Sequence, residues 1–260
     1  MALEQVRNEI TRCNKILNLF RARESTEDRR RARLNRDFQS TLGTEMEFTD
    51  EEAKYMSQPG ETLQRNIELQ RLFNQRKDIT IIDAFACVGG DSVSFMHAFD
   101  KCRLYAVQQT LSDEESKRFL RLTRNVTKYN GSAAKASEVN FYPTPIQTAL
   151  PAIAAATSNC VDLLYLDPPW FDGAEKIGLE GMVTFLQSNV FCQLGSTGLR
   201  PSVICMKVDF PASDIQASQT FQTMLHGYAP GPAVDVIRFK SRPPAYSYYI
   251  FHKNQINSVP

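Results

Sequence analysis

The stretch of the sequence with the most distinctive chemistry is Leu163–Phe171, which reads LLYLDPPWF. An apolar run ends at Asp167, two prolines follow it, and two aromatic residues come next. Each proline fixes its own φ angle and restricts the residue before it, so the turn is rigid without a ligand. The Asp167 carboxylate can accept hydrogen bonds from an amino group, and the Pro168 carbonyl offers a second acceptor. The pattern therefore predicts a preorganised acceptor of amino hydrogens.

The aromatic residues of this turn suit the recognition of a flat ring. Trp170 is the only tryptophan in the chain, and Phe171 follows it directly. A nucleobase stacked on an aromatic side chain gains about 1–3 kcal/mol. Methyl transfer to an exocyclic amine of a base requires close alignment, which a rigid turn favours. We expect Asp167, Pro168 and Trp170 to be catalytic, with Trp170 and Phe171 contacting the base; a plain turn with a core tryptophan is the alternative.

A second candidate site lies between Asp83 and Asp91, where the sequence reads DAFACVGGD. The β-branched run before it predicts a strand, and the segment SVSFMHAF after it has helical spacing. In an open α/β sheet, ligands bind at the carboxyl ends of the strands. Glycines there let the backbone approach a ligand, and the next helix offers unpaired amides. The G-x-G-x-x-G fingerprint of dinucleotide enzymes does not occur, which disfavours a nicotinamide cofactor.

The next strand candidate, RLYAVQQ, ends in two glutamines, Gln108 and Gln109. In nucleotide-binding α/β sheets the group at this place contacts the ribose hydroxyls and is usually an acid. A glutamine both donates and accepts hydrogen bonds, so Gln108 retains the capacity for a ribose contact. The charge-assisted bond of a carboxylate would be about twice as strong. An ordinary polar strand end is equally consistent with the two residues.

The elements that position these residues alternate between strand and helix from about residue 79 to residue 210. This alternation predicts an α/β fold with a mostly parallel, doubly wound sheet, which we assign to a domain over residues 78–260. The strand candidates are ITIIDAF, RLYAVQQ, CVDLLYLD, SVICMKVDF, VDVIRF and YSYYIFHK, of which the last two predict an antiparallel C-terminal pair. The helix candidates after the glycine turn are DEESKRFLRLTRNVTKYN and MVTFLQSNVFCQLG, with Gly195 near the end of the second.

Residues 1–77 are predicted to form a helical N-terminal extension. The apolar spacing predicts an amphipathic helix over residues 1–20. Residues 21–36 are dense in arginine and form either a solvated helix face with internal ion pairs or a phosphate-contacting arm. Thr49 stands three residues before Glu52, as in a capping box. A further helix is predicted after Pro59-Gly60 from the apolar residues Leu63, Ile67, Leu69 and Phe73.

Composition and cysteine usage exclude several classes of protein. The 260 residues carry a formal net charge of +1, with 42% hydrophobic residues, which suits a globular domain with an appendage. No apolar run approaches the roughly 20 residues that cross a bilayer, and the first residues do not resemble a secretory signal. The six cysteines form no C-x-x-C pair, so neither a metal site nor a disulfide scaffold is expected. We expect an intracellular protein, cytoplasmic or nuclear, with no membrane contact.

The order of the two motifs resembles that of class I S-adenosylmethionine-dependent methyltransferases, which have a Rossmann-like fold. The best match is with the RNA cap guanine-N2 methyltransferases, the trimethylguanosine synthase family. That family has an aspartate, an aromatic residue and a Gly-x-Gly-Gly turn, matched here by Asp83, Phe85 and Gly89–Gly90. Cys87 stands where the family usually has its first glycine. The family also has a Pro-Pro-Trp turn, matched by Pro168–Trp170.

The resemblance implies a cofactor, an acceptor and partners. Trp170 is implied to stack on the methylated guanine of a capped RNA, and Lys207 to contact the substrate. The N-terminal helices are implied to cover the cofactor and the cap, and they offer a surface for a protein partner. Asp167 replaces the family's usual serine and makes the turn resemble the D-P-P-[YWF] of adenine-N6 methyltransferases, so adenine N6 in RNA or DNA is the alternative acceptor. S-adenosylmethionine is implied to bind around Asp83, Phe85, Cys87, Gly89, Gly90 and Gln108.

Two departures from the family pattern leave a second hypothesis open. Cys87 adds a side chain where the carboxylate end of the cofactor would approach, and Gln108 weakens the ribose contact. Both departures would also fit a methyltransferase-like subunit with little or no catalysis, retained for binding RNA or a partner. The turn at Asp167 favours the active enzyme.

Overall fold

The computed structural model describes residues 26–132, 137–172, 175–208, 219–221, 223–224, 233–238 and 247–252. Within these ranges, the side chains of 26–30, 171–172, 175–176, 233–238 and 247 are not described. The helix predicted over residues 1–20 and the first five residues of the arginine-dense segment lie outside the described residues.

A seven-stranded sheet forms the centre of the described structure. Its strands are β1 (Thr80–Asp83), β2 (Arg103–Val107), β3 (Glu138–Tyr142), β4 (Cys160–Leu166), β7 (Arg200–Val208), β8 (Ala233–Arg238) and β9 (Ser247–His252). Their order across the sheet is β3-β2-β1-β4-β7-β9-β8. The first five are parallel, whereas β9 runs antiparallel to both of its neighbours. The predicted doubly wound, mostly parallel sheet with an antiparallel C-terminal strand is confirmed.

A short hairpin of β5 (Phe171–Asp172) and β6 (Glu175–Lys176) follows the proline turn directly. The Ile177 amide donates to the Trp170 carbonyl at 2.8 Å, so the hairpin returns the chain to the turn from which it left. The residues just after Trp170 are therefore held close to the end of β4.

Helices cover both faces of the sheet. They are α1 (Thr26–Leu42), α2 (Asp50–Tyr55), α3 (Pro59–Leu72), α4 (Gly90–Ala98), α5 (Asp113–Ser132), α6 (Ile146–Ala156), α7 (Leu179–Leu186) and α8 (Cys192–Thr197), with a π-helical turn at Gln187–Phe191. The sequence patterns did not predict β3 or α6, because EVNFY mixes polar and apolar residues and α6 carries an internal Pro151. Helix α8 ends at Thr197 and is capped by Gly198, whose φ of +70° suits glycine, so Gly195 lies near the end of the helix as predicted.

The alternation of side chains along the strands divides the core into two layers. Leu163 and Tyr165 of β4 point into one layer, and Leu164 and Leu166 point into the other. The first layer is covered by α1, α3, α4 and α5, and the second by α6, α7 and α8. Trp170 belongs to the second layer.

The N-terminal helices share the first layer with the sheet. The capping box predicted for α2 is present, with the Thr49 hydroxyl accepting from the Glu52 amide at 3.2 Å and a Glu52 carboxylate oxygen accepting from the Thr49 amide at 2.8 Å. The helix predicted after Pro59 is α3, but the face that it buries is largely polar. Leu63 and Ile67 are 39% exposed. The buried positions of α3 are Pro59, Thr62, Arg65, Asn66 and Leu69.

Two searches of the described residues bear on the class of protein. None of the described helices is long and apolar enough to cross a membrane. Within the same residues, no three histidine, cysteine or acidic side chains are grouped so that they could hold a metal ion. The polar groups of interest are instead carboxylates, amides and cations around one cavity.

Candidate active site

A cavity of about 390 Å³ opens at the carboxyl ends of β1, β2 and β4. In the sheet order, β2 lies on one side of β1 and β4 on the other, so the cavity lies where the direction of winding reverses. Ligands of open α/β sheets bind at such a switch point. The loop after β1, the end of β2 and the turn after β4 all contribute to its wall. The two turns singled out in the sequence therefore open into one shared space.

The structure brings most of the predicted site residues together. The cavity wall includes Phe85, Cys87, Gly90, Gln108, Asp167, Pro168, Trp170 and Lys207. Asp83 and Gly89 lie outside the wall. The side chain of Phe171 is not among those described.

Gly89 and Gly90 serve the packing of helices. Gly89 is the N-cap of α4 with a φ of +94°, and a Cβ there would lie 3.0 Å from the side chains of both Leu122 and Val126 of α5. A Cβ at Gly90 would lie 3.4 Å from Met56, in the segment between α2 and α3. Gly89 therefore allows close packing against α5, and the approach of this turn to a ligand stays a prediction. Gly90 also lines the cavity.

Cys87 lies in the cavity wall with a φ of +50°. Left-handed backbone is uncommon for residues other than glycine, so a glycine at this position in other proteins has a direct conformational reason. Burial raises the pKa of the Cys87 thiol to about 11. The side chain is therefore a neutral thiol at physiological pH and not an activated nucleophile.

Asp83 ends β1 as a fully buried carboxyl group. The Ser92 hydroxyl donates to its Oδ2 at 2.6 Å, while Oδ1 has no hydrogen-bond partner among the described residues. Burial, reinforced by the negative charge of Asp91, raises the pKa of Asp83 to about 7. The carboxyl group is thus close to half-protonated at neutral pH.

Asp167 is held from two sides. The Trp170 indole nitrogen donates to Oδ1 at 3.1 Å, and the Lys207 ammonium donates to Oδ2 at 2.7 Å. Burial raises the pKa of Asp167, and the adjacent Lys207 opposes that rise. Each carboxylate oxygen can accept a further hydrogen bond, so the predicted contact with an amino group is sterically and chemically open at the cavity wall.

Trp170 combines the two roles that the sequence left as alternatives. Its side chain packs in the second core layer and is 7% exposed as a residue, yet it also lines the cavity. The indole nitrogen is committed to Asp167, which fixes the orientation of the ring. The ring can therefore offer only its cavity-facing surface to a ligand.

A chain of buried polar groups extends from Asp167 to the N-terminal helices, and we call it the buried relay. The Lys207 ammonium donates to the Ser57 hydroxyl at 2.9 Å, and that hydroxyl donates to Asp91 Oδ2 at 3.0 Å. Asp91 Oδ1 accepts from the Arg65 guanidinium. The relay thus consists of Asp167, Lys207, Ser57, Asp91 and Arg65, with negative and positive groups alternating along it.

The far end of the buried relay is an arginine enclosed by aromatic rings. The Arg65 guanidinium carbon lies 4.2 Å from the centroid of the Phe95 ring, 4.6 Å from that of Tyr165 and 5.6 Å from that of Tyr248. Such cation–π contacts are strongest when the cation is desolvated. Burial alone would lower the pKa of Arg65, but Asp91 and the surrounding groups raise it above its usual value. Arg65 therefore remains a charged support for Asp91.

Sequence reasoning did not identify Ser57, Arg65 or Asp91 as site residues. Ser57 and Lys207 are separated by 150 positions, and Arg65 and Asp91 by 26. The one local signal was an arginine on the face of α3 that should carry apolar residues. A buried charge needs a partner, so Arg65 on that face indicated an ion pair.

Helix α2 closes one side of the cavity through Glu51, Glu52 and Tyr55, and Met56 just after it adds to the same side. Glu52 is 1% exposed, and its Oε1 accepts from the Arg121 guanidinium at 2.6 Å and from Arg118 Nε at 3.4 Å. Because Glu52 also caps its own helix, one side chain both starts α2 and fastens it to α5. The N-terminal extension is thereby part of the cavity wall.

The opposite side of the cavity is formed by Phe185 of α7 and Asn189 of the π-helical turn. Phe185 faces Phe85 with ring centroids 5.9 Å apart. The Asn189 side-chain amide donates to the Phe185 carbonyl at 2.8 Å, which fixes it within the turn. Single π-helical turns occur frequently at functional sites. With Tyr55 of α2 and Trp170 of the proline turn, aromatic rings therefore line the cavity from four segments of the chain.

Comparison with known proteins places this fold. No family model matches the sequence, and no curated protein matches it. Among solved structures, the N-terminal domain of human METTL16 in complex with SAH has a TM-score of 0.62 and 14% identity, covering 87% of this chain and 82% of that chain. The hMettl16 catalytic domain in complex with the MAT2A 3′UTR hairpin 6 has a TM-score of 0.60 and 11% identity, covering 91% and 85%. A methyltransferase from Pyrococcus furiosus has a TM-score of 0.56 and 15% identity, covering 88% and 99%.

These similarities define the fold as that of the Rossmann-like class I methyltransferases. The resemblance inferred from the two sequence motifs is confirmed at this level. Two of these three structures are of METTL16, and none of the three is described as a trimethylguanosine synthase.

Proposed function

We propose that this protein is an S-adenosylmethionine-dependent methyltransferase that acts on an exocyclic amine of a nucleobase in RNA. The observation that carries the proposal is the single cavity shared by the loop after β1 and the turn at Asp167. Methyl transfer requires the donor and the amine in one water-poor space, and this cavity joins the two segments that could hold them. Two of the neighbouring structures contain SAH or an RNA hairpin, which supports the same class of ligands here.

The residues of the cavity fit the cofactor. Val107 and Ile146 offer an apolar wall for a purine ring, and the Gln108 amide can both donate to and accept from ribose hydroxyls. Asp91 and Asp167 place negative charge in the wall, which suits a ligand with an ammonium and a sulfonium group. When bound, S-adenosylmethionine supplies a methyl group attached to positively charged sulfur.

The turn at Asp167 would hold the acceptor. The Asp167 carboxylate and the Pro168 carbonyl accept hydrogen bonds from the amino group, which orients the nitrogen lone pair. The amine nitrogen would form a bond to the methyl carbon as the carbon–sulfur bond breaks, and the methylated nitrogen would then release one proton to water. Because the proton leaves only after the nitrogen has gained positive charge, no strong general base is required. The rigid turn and the hydrogen bond from Trp170 keep the acceptor oxygens in place.

We take N2 of a 5′ cap guanine as the acceptor atom, because the Pro168–Trp170 turn and the Asp83, Phe85 and Gly89–Gly90 pattern resemble the motifs of the trimethylguanosine synthase family. Adenine N6 is the second candidate, and the observation that favours it is the acid at position 167 in place of serine. A catalytically silent RNA-binding subunit is the third, favoured by Cys87 in the cavity wall.

Product analysis distinguishes the three. The protein is incubated with labelled S-adenosylmethionine and either a capped RNA without internal adenines or an uncapped RNA with adenines, and the nucleosides are then identified. The proposal expects N2-methylated cap guanine from the first RNA, whereas N6-methyladenine from the second would move the assignment to adenine. Calorimetric titration with S-adenosylhomocysteine tests the cofactor separately. If S-adenosylhomocysteine does not bind at millimolar concentration, the proposal of an active enzyme is overturned, and the catalytically silent subunit is the remaining hypothesis.

A matched pair of variants assigns the chemistry to the turn. Asp167→Asn removes the charged acceptor and should lower the rate of methyl transfer by about 100-fold. Asp162→Asn is the control, because Asp162 lies near the other end of the same strand, where it contacts Arg76 and the Thr80 amide. Equal rates of methyl transfer for the two variants would show that Asp167 has no role in the reaction.

A further inference from the structure

We propose that Lys207 and Ser57 are positioning residues that keep the Asp167 carboxylate charged and fixed in the cavity wall. Arg65 and Asp91 support them from the far end of the buried relay. The inference rests on the proposed function, because it assigns the relay to the amine-holding step. It also makes the segment between α2 and α3 a working part of the site.

The first argument comes from the burial of Lys207. The residue is 1% exposed, and its ammonium contacts Asp167 at 2.7 Å and Ser57 at 2.9 Å. A buried ammonium is costly unless it is paired and hydrogen-bonded. The ammonium is held by groups on two different segments, and both of its contacts lead along the relay. Its position therefore suits the control of Asp167 better than direct capture of a ligand.

The second argument comes from the path of the relay. Ser57 joins the N-terminal extension to the cavity, and Asp91 lies in the first turn of α4. Asp91 is held in turn by Arg65, whose side chain has no exposed surface. Lys207, Ser57, Asp91 and Asp167 all line the cavity. Fixing one of them therefore fixes the next, and the series ends at the oxygens proposed to meet the amine.

The third argument concerns the charges that act on Asp167. Lys207 of β7 favours the ionised carboxylate, while burial and Asp91 of α4 disfavour it. Asp83 at the end of β1 also interacts with Asp167. Removal of Lys207 leaves only the hydrogen bond from Trp170 to oppose burial and Asp91, and the pKa of Asp167 should rise. The neighbouring groups that also respond to the charge of Asp167 are Cys87, Tyr165, Cys205 and Tyr248.

Trp170 provides a direct measurement. It is the only tryptophan in the chain, and its indole nitrogen donates to Asp167, so its fluorescence responds when that carboxylate takes up a proton. The experiment titrates the emission of the full chain with acid under native conditions. Lys207→Met should raise the midpoint of the change by at least about one pH unit relative to wild type. Ser57→Ala should raise it by a smaller amount, because Lys207 loses one of its fixing contacts.

Thr62→Ala is the matched control. Thr62 is a buried hydroxyl of α3 that donates to the Pro59 carbonyl at 2.9 Å and has no place in the relay. Its variant should titrate like wild type. A midpoint for Lys207→Met within about 0.3 pH units of wild type would overturn the proposal. Should that variant fail to fold, Ser57→Ala decides in the same way, since an unmoved midpoint would overturn it.

The link to catalysis has its own measurement. With the RNA acceptor that the product analysis identifies, Lys207→Met should lose methyl transfer below its new midpoint and regain it as the pH is raised past that midpoint. If the loss of methyl-transfer activity is the same at every pH, Lys207 has a structural role only. Failure of the proposed function is separate: S-adenosylhomocysteine would then not bind wild type, whereas the fluorescence midpoints would still report on the relay.

Discussion

The two segments that form the cavity are held in place by different forces. The loop from Asp83 to Asp91 depends on backbone geometry and close contact, because Cys87 and Gly89 adopt positive φ and Gly89 touches α5. The turn at Asp167 depends on prolines and on charge, because its carboxylate is fixed by Trp170 and Lys207. We therefore expect the loop from Asp83 to Asp91 to be disrupted by larger side chains, and the turn at Asp167 by the loss of a charged group.

The two segments also differ in how far along the chain the residues that hold them lie. Most of what shapes the turn after β4 comes from far along the chain, since Lys207 lies 40 positions after Asp167 and Ser57 lies 150 positions before Lys207. The prolines make the turn stiff, but they do not set the ionisation of its acid. The loop after β1 is shaped by its own backbone and by one neighbouring helix. Substitutions can test each half of this contrast.

The largest effect should come from the charged side, at Arg65. Arg65→Met leaves Asp91 buried without its cation, and breaking a buried ion pair costs about 3–5 kcal/mol in the free energy of unfolding. Lys77→Met removes a cation from a comparable 2.8 Å ion pair with Asp100, but Lys77 is 59% exposed. That control should change the free energy of unfolding by less than about 1 kcal/mol. Urea denaturation followed by circular dichroism measures both.

A double variant sharpens the assignment of this loss to charge. Arg65→Met combined with Asp91→Asn removes both charges, and it should be less destabilised than Arg65→Met alone, because no uncompensated carboxylate remains. If the double variant is destabilised by the sum of two large losses, the contacts of Arg65 with the rings of Phe95 and Tyr165 would be the dominant contribution instead.

The second prediction concerns the charge of Asp83 in the loop after β1. We expect the ionised carboxylate to destabilise the folded protein. The pKa of Asp83 is about 7 in the folded protein, against 3.8 for an unperturbed group. The folded state thus retains a proton that the unfolded state releases. Relative to Asp83→Asn, the stability of wild type should be highest below about pH 4 and should fall, by up to about 4 kcal/mol, as the pH rises to about 7.

Urea denaturation of wild type and Asp83→Asn at pH 4.5 and pH 8 measures this change in the difference between them. The Ser92 hydroxyl lowers the pKa of Asp83 through its hydrogen bond, so Ser92→Ala should extend the decline to higher pH. If the difference in the free energy of unfolding between wild type and Asp83→Asn is constant with pH, burial does not raise the pKa of the Asp83 carboxyl group.

The sequence predicted local features well and long-range polar pairing poorly. The strands ending at Asp83 and Asp167 and the capping box at Thr49 follow from short patterns, and all three are present. The relay could not be predicted, because it joins the segment before α3, the first turn of α4 and the end of β7. The contact of Gly89 with α5 was not predicted either: a glycine pair indicates close approach, but the sequence does not show which segment of the chain approaches.

The smallest of the three effects tests that close approach. Gly89→Ala should lower the free energy of unfolding by about 2–4 kcal/mol, because the new Cβ imposes both left-handed strain and a 3.0 Å contact with Leu122 and Val126. Gly198→Ala is the control: its φ is +70°, but a Cβ there meets nothing within 4 Å. It should lose only the strain, about 1–2 kcal/mol. Equal losses would mean that backbone conformation alone, and not contact with α5, fixes the loop.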